Sequence, residues 1–236
     1  STLATSVNVE RQDIGVTLRV TPQITEGDSL RLEIFQEITD LNPTIQAGVG
    51  DPNQVGPALS NRRVENVVVA ADGSTVYFLS TRSGSSQVWQ LPLSGGEAQP
   101  LTALPLDVDN FVLSRDGRRL ALSMQVFPGT TPAQTKNRLD EIAAGAATGR
   151  TYDRLLFRHW DTWEDGRRSH IFVLPAAGGE PVDVMQAMDA DAPSRPFGGS
   201  NEYTFTPDGR SIVFGARNAG REEAWSTNFD LFVAPI

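Results

Sequence analysis

Apolar and polar residues alternate over residues 14–38 with the period of two that an extended strand imposes on its faces. Ile14, Val16, Leu18 and Val20 fall on one face, and Leu30, Leu32, Ile34 and Ile38 repeat the pattern after a turn at Glu26-Gly27-Asp28. The pattern predicts a β-hairpin. Across residues 40–61 the alternation lapses into turn formers (Asn42-Pro43, Gly48, Gly50-Asp51-Pro52, Gly56-Pro57), which predicts a long loop. Val64 to Val69 resumes as a strand.

From Ala71 onward a unit recurs: an Asp-Gly turn opens an apolar strand, and a second strand ends in a Gly-Gly or Pro turn. The first copy runs Asp72-Gly73, Val76-Tyr77-Phe78-Leu79, Gln87-Val88-Trp89-Gln90-Leu91-Pro92 and Gly95-Gly96-Glu97. The second opens at Asp116-Gly117 with Leu120-Ala121-Leu122-Ser123 and closes with His170-Ile171-Phe172-Val173-Leu174-Pro175 and Gly178-Gly179-Glu180. The third opens at Asp208-Gly209 with Ser211-Ile212-Val213-Phe214 and closes with Asp230-Leu231-Phe232-Val233-Ala234-Pro235. Asp72 and Asp116 stand 44 residues apart, near the period of about 40–45 residues expected of a four-stranded propeller blade. The next interval, 92 residues, holds about two such periods and an insertion, because Leu139, Ile142, Ala143 and Ala146 recur at helical spacing within Thr131 to Ala147. The expected fold is all-β: a partial β-propeller of about three to four blades with a short helical insertion, preceded by a β-hairpin segment. The boundary falls near Ala71, giving domains 1–70 and 71–236. Trp89, Phe172 and Phe232 occupy matching positions and are expected to pack between blades.

Composition narrows the function. Hydrophobic residues at 39% and charged residues at 21% describe a folded chain. The formal charge of −9, with basic residues scattered in pairs, excludes nucleic acid as a partner. With no cysteine there is no disulfide, thiolate metal site or cysteine nucleophile. No apolar run reaches the roughly 18 residues of a membrane-spanning helix. The start, Ser1-Thr2-Leu3-Ala4, has neither an initiating Met nor the regions of a signal peptide, so the expectation is a fragment or a processed product.

Two stretches carry family resemblances. Val9 to Ile24, then Glu26-Gly27-Asp28, Leu30 to Ile34, Gln36-Glu37-Ile38 and Asn61-Arg62-Arg63-Val64 leading into Val67-Val68-Val69, resemble the outer-membrane secretins of type II secretion. That resemblance implies strands of a multimeric barrel used in protein transport, located in the bacterial periplasm or outer membrane. The sequence departs from the secretin pattern at Ser74-Thr75-Val76-Tyr77-Phe78-Leu79-Ser80. Residues 71–236 resemble the propeller of prolyl-oligopeptidase-family serine peptidases, the dipeptidyl and acylaminoacyl peptidase group. The resemblance rests on Arg158 to His170, Pro196-Phe197-Gly198-Gly199 and Gly220-Arg221-Glu222-Glu223-Ala224-Trp225-Ser226-Thr227-Asn228-Phe229-Asp230-Leu231. It implies a domain that filters peptide access to a hydrolase. No Gly-x-Ser-x-Gly occurs in the sequence, so the chain is expected to be non-catalytic, with no catalytic residue and no cofactor.

The functional expectation is therefore a peptide-gating, peptide-binding propeller portion fused to a secretin segment. The alternatives are a secretin subunit of type II secretion, and an engineered or accidental fusion without evolved activity. Glu222 and Glu223 are the candidate substrate-binding residues, since paired carboxylates attract the free amine of a peptide; the alternative is a solvated turn beside Arg221. His159 and His170, set among Trp160, Asp161, Trp163 and Asp165, are expected to be cross-strand neighbours with a packing role, and no metal site is assigned. The Asp-Gly pairs read as turns rather than calcium loops. Peptides and a second copy, through open β edges or a secretin oligomer, are the expected partners. Val64 to Val69 is expected to pair with Val76 to Leu79 across Asp72-Gly73.

Overall fold

The computed structural model describes residues 15–24, 30–41, 59–70, 72–146, 149–153, 155, 157–159, 162–186 and 188–236. Strand β1 (Gly15–Ile24) pairs antiparallel with β2 (Leu30–Leu41), with Val20 opposite Ile34. The predicted hairpin is thus present, although its turn lies outside the described residues. Strand β3 (Leu59–Val69) continues the sheet on β2 and begins five residues before the predicted Val64, inside the segment expected to be loop. Strand β4 (Thr75–Ser80) pairs with β3, with Val64 opposite Ser80 and Val69 opposite Val76. A register shift between Glu65 and Val68 interrupts this ladder. The hairpin expected across Asp72-Gly73 is therefore formed. Strands β5 (Gln87–Pro92) and β6 (Gln99–Pro100) complete a six-stranded antiparallel sheet in the order β1-β2-β3-β4-β5-β6.

A second sheet is built from β7 (Asn110–Leu113), β8 (Arg119–Val126), β11 (Arg168–Pro175) and β12 (Val182–Asp183), in the order β12-β11-β8-β7. Between β8 and β11 the chain leaves the sheet. It forms helix α1 (Pro132–Ala144) and a two-stranded ribbon of β9 (Arg158–His159) and β10 (Thr162–Trp163). Among the described residues the long repeat interval holds this excursion and no further four-stranded sheet. Helix α1 starts at Thr131, whose hydroxyl accepts from the Gln134 amide while the Gln134 side chain accepts from the Thr131 amide. Its fully buried residue is Thr135, and Ile142, on the stripe that suggested the helix, is exposed. The third sheet, β13-β14-β15, contains β13 (Tyr203–Phe205), β14 (Ser211–Ala216) and β15 (Asp230–Pro235). Among the described residues no helix is long and apolar enough to cross a membrane.

The repeat has a physical basis in its turns. Gly73, Gly117 and Gly209 adopt φ of +68°, +69° and +66°, a region a side chain disfavours. The amides of Ser74, Arg118 and Arg210 donate to Oδ1 of the aspartate two residues earlier, at 2.9, 3.1 and 3.1 Å. Each aspartate is thus spent within its own turn, Asp116 and Asp208 accepting also from the Ser114 and Thr206 hydroxyls.

Two apolar cores hold the blades together. One joins Leu79 and Val88 of the first blade to Phe111, Leu120, Leu122 and Phe172 of the second. The other joins Ala121, Ile171 and Val173 of the second to Tyr203, Ile212 and Phe214 of the third, with Phe232 packed against it. Among the described residues the second blade lies between the other two, so β8 and β11 are buried on both faces and their apolar runs lack strict alternation, whereas β14 alternates in burial. Phe172 and Phe232 lie at blade contacts as expected; Trp89 is buried with Val67 and Phe78 on the outer face of the first blade.

Candidate functional site

Glu222 and Glu223 sit in the first turn of a short 3₁₀ helix, Gly220–Trp225, which bridges β14 and β15. Adjacent side chains on so tight a helix diverge. The carboxylate of Glu223 turns inward: Arg168 donates to its Oε2 at 2.7 Å and to its Oε1 at 3.2 Å, and Arg217 donates to Oε1 at 3.3 Å. Arg168 lies at the start of β11 and also donates from Nε to Asp189 at 2.9 Å and from Nη1 to Asp191 at 2.8 Å. Asp191 in turn accepts from the Ser169 amide at 2.7 Å. Burial alone would pull Arg168 down. The Glu223 hydrogen bond and the Asp191 charge outweigh it and hold the guanidinium above its ordinary value.

A second charged group lies close in sequence. Arg195 donates to Glu164 at 3.2 Å and to the Arg167 carbonyl at 3.1 Å, while Arg167 pairs with Asp165. Burial pushes Glu164 above the usual carboxylate range, with Arg195 opposing. Burial acts on Asp165 in the same sense, yet its hydrogen bonds with Arg167 prevail and hold it low.

Glu222 turns outward, exposed, into a cleft of about 560 Å³ lined by Tyr152, Asp153, Leu155, Phe157, Arg221, Glu222 and Trp225. The rings of Tyr152, Phe157 and Trp163 form a triangle with centroids 5.4, 5.7 and 6.0 Å apart. Leu155, Phe157, Trp163 and Trp225 are all exposed. Such a concentration of exposed apolar side chains beside a carboxylate marks a contact surface more than a packing residue of the fold. The Tyr152 hydroxyl is buried and has no hydrogen-bond partner among the described residues. Arg221 and Asp153 face each other at 3.9 Å, both largely in solvent. Chemically, the cleft offers a carboxylate for a cation and rings for an apolar side chain.

The two histidines are not neighbours. In the backbone ladder His159 pairs with Thr162 across the β9–β10 ribbon, whereas His170 stands opposite Met124 in the second blade. The expected cross-strand pair fails because the chain turns back between β9 and β10 before reaching β11. His170 is fully buried, with Nδ1 2.9 Å from Asp183 Oδ2 and Nε2 3.1 Å from the Met188 carbonyl. Among the described residues no group of three His, Cys, Asp or Glu could hold a metal ion. Reading the sequence did not single out Tyr152, Asp189 or Asp191, and it named Trp163 and Arg168 without the partners they have here. The Asp-x-Asp spacing at 189–191 was the available signal, but its partner lies 23 residues upstream in another element.

Comparison with known proteins divides the chain. Residues 1–79 match the family model "Secretin: Bacterial type II and III secretion system protein". The chain is 36% identical over 89 residues to Secretin ExeD of Aeromonas salmonicida, covering 37% of this chain and 13% of that one. It is 27% identical over 169 residues to Dipeptidyl-peptidase 5 of Porphyromonas endodontalis, covering 68% of this chain and 23% of the relative. An acylaminoacyl peptidase, solved in complex with Z-Gly-Gly-Phe-chloromethyl ketone, superposes with a TM-score of 0.50 at 12% identity, over 92% of this chain and 31% of that one. That likeness shows the fold alone, and its coverage exceeds what residues 71–236 supply, so it extends into the secretin-like strands. The chain joins a secretin-like N-terminal part to a part similar to dipeptidyl peptidases, and it spans less than a quarter of the length of either curated relative.

Proposed function

We propose that residues 71–236 are the non-catalytic, peptide-binding and peptide-gating portion of a prolyl-oligopeptidase-type peptidase, fused to a secretin segment. The observation that supports this reading is the cleft at Glu222, where an exposed carboxylate and a wall of exposed rings converge. A peptide's terminal ammonium would sit on Glu222 and its first side chain against Phe157 and Trp225. Glu223 remains part of the proposed site. Its carboxylate is held by Arg168 and Arg217, so its part in the proposal is to anchor the 3₁₀ helix that presents Glu222 to the cleft. The absence of a Gly-x-Ser-x-Gly from the sequence supports the non-catalytic part of the proposal.

The test is titration of the full chain with a free-amine apolar tripeptide and with its N-acetylated form. Acetylation and Glu222→Gln should each weaken binding by roughly tenfold, the worth of one charge-assisted hydrogen bond. Equal binding of the two peptides would refute amine recognition. A dipeptidyl chromogenic substrate should show no turnover; turnover stopped by a serine-directed inhibitor would refute the non-catalytic assignment.

A second reading concerns residues 1–70. Strands β1, β2 and β3 run 10, 12 and 11 residues, at or just above the roughly 9–11 residues of a membrane-crossing strand. Their length supports a secretin-type role in the bacterial envelope, completed by other copies. Detergent-dependent oligomers in light scattering would support it, and a monomer indifferent to detergent would refute it.

A further inference from the structure

The repeat sets Gln87 of β5 and His170 of β11 at one position, each two residues before the aromatic, Trp89 or Phe172. Both are buried, and each reaches the loop that leads from its own blade to the next. Gln87 does so with an amide. Its Nε2 donates to the Leu104 and Leu106 carbonyls, both at 3.1 Å, and its Oε1 accepts from the Thr102 hydroxyl at 2.8 Å and the Leu104 amide at 2.9 Å. An amide carries two N–H donors whatever the pH.

His170 faces its loop with a ring whose donors depend on its protons. The loop, residues 184–192, is tied at both ends to the strand that carries the ring: the Val184 amide donates to the Ile171 carbonyl at 3.0 Å, and the Ala192 amide to the Ser169 carbonyl at 2.8 Å. Between these ties the Met188 carbonyl lies 3.1 Å from Nε2, while Nδ1 lies 2.9 Å from Asp183 Oδ2. The other oxygen of Asp183 accepts from the Met185 amide at 2.7 Å. Both ring nitrogens therefore face oxygen acceptors. A neutral imidazole has one N–H and an imidazolium two. Both contacts are hydrogen bonds only when His170 and Asp183 together hold one proton more than a neutral ring and an ionised carboxylate, whichever of the two carries it. Without that proton, the remaining N–H goes to the carboxylate, the stronger acceptor. The Met188 carbonyl then meets a lone pair, and the loop loses its tie at the middle.

The elements around the ring bring few charges. Strand β12 supplies Asp183, the loop supplies Asp189 and Asp191, both engaged by Arg168 of β11, and the residue opposite on β8 is Met124, which does not ionise. The same Arg168 holds Glu223 on the 3₁₀ helix. We infer that His170 and Asp183 form a proton-operated clasp on the loop 184–192. With its proton the clasp fixes the loop and, through Asp189, Asp191 and Arg168, the helix that presents Glu222; as pH rises and the proton leaves, the loop is released. The clasp itself stands on the second blade alone, whereas its effect on peptide binding rests on the proposed peptide site.

Amide hydrogen exchange of the full chain, corrected for intrinsic rates, reads the clasp between about pH 5 and pH 8, where histidine changes charge. Opening at Met188 to Asp191 should rise by about tenfold or more across that range, as for the loss of a charge-assisted hydrogen bond. Leu104, whose amide Gln87 holds, should not follow. In His170→Gln, which copies the first blade, the loop should lose its pH dependence, and in His159→Gln it should keep it. A flat profile at Met188 to Asp191 in the unaltered chain or an equal rise at Leu104 would overturn the inference without any variant. So would a pH dependence that survives His170→Gln. For the site, the affinity of the free-amine tripeptide is taken as the ratio of the unaltered chain to His170→Gln, which cancels the peptide's own titration. That ratio should fall as pH rises. A constant ratio beside a pH-dependent loop would overturn the link to Glu222, whereas equal binding of the free-amine and acetylated peptides would refute the peptide site and not the clasp.

Discussion

Replacing Arg168 with Met removes a guanidinium that is 12% exposed and touches three carboxylates. The partners are unequal. Asp189 is 44% exposed and contributes about 0–1 kcal/mol, as solvent-screened pairs do. Asp191 and Glu223 are largely buried, and opposite charges about 4 Å apart at an effective dielectric of about 20 attract by roughly 4 kcal/mol each. Recovering the hydration of the cation offsets part of this, but two buried carboxylates lose their main partner, and breaking such pairs costs about 3–5 kcal/mol. For a domain of this size, 1 kcal/mol shifts the melting temperature by roughly 2–4 °C, so Arg168→Met should lower it by about 6–20 °C. The assay is urea and thermal unfolding of the full chain. Adding Asp191→Asn and Glu223→Gln to Arg168→Met should recover part of the loss, since it removes the uncompensated charges. A loss below about 1 kcal/mol, or no recovery in the triple variant, would refute the claim that this network ties the 3₁₀ helix to the second blade.

Two further outcomes follow from the repeated turn. Gly117→Ala should cost about 1–2 kcal/mol in urea unfolding, because a Cβ there meets nothing within 4 Å and the whole penalty is the positive φ; Gly117→Asn should cost less. Hydrogen bonds hold three carboxyls below the usual range: Asp72 with Ser74, Asp116 first with the Ser114 hydroxyl and then the Arg118 amide, and Asp208 first with the Thr206 hydroxyl and then the Arg210 amide. A carboxyl lowered on folding adds stability that is complete above its unfolded value, about 3.9, and is lost as pH falls through its folded value. Stability measured downward from about pH 5 should therefore fall more steeply for this chain than for the Asp72→Asn, Asp116→Asn, Asp208→Asn variant; equal slopes would show that the turns are not formed as described.

The repeat was legible because it is local. An Asp-Gly pair, an apolar strand and a strand ending in proline are each set by neighbours a few residues away, and all three copies fold as their pattern suggests. The blade-facing role of Phe172 and Phe232 followed from position within the repeat. Less legible was everything built from distant segments. Arg168 meets Glu223 across 55 residues, and Glu223 takes that bond while adjacent Glu222 faces solvent, a division no spacing rule contains. Tyr152, Phe157 and Trp163 assemble only because the excursion between β8 and β11 folds back into a ribbon. The turn-rich stretch before β3 concealed the beginning of that strand, since Leu59 to Arg63 lacks clear alternation and is recruited by pairing with β2.

The ladder between β3 and β4 bears on how a chain whose two parts resemble different families can hold together. Side-chain packing between two domains has to be matched residue by residue, but amide and carbonyl groups along a sheet edge are the same in any sequence. A strand of one sequence type can therefore extend a sheet of another without residue-by-residue matching. The one demand is that the inward and outward phases of the two strands agree. The slip between Glu65 and Val68 lies in that junction, where one extra backbone step resets the phase and lets each segment keep its own alternation.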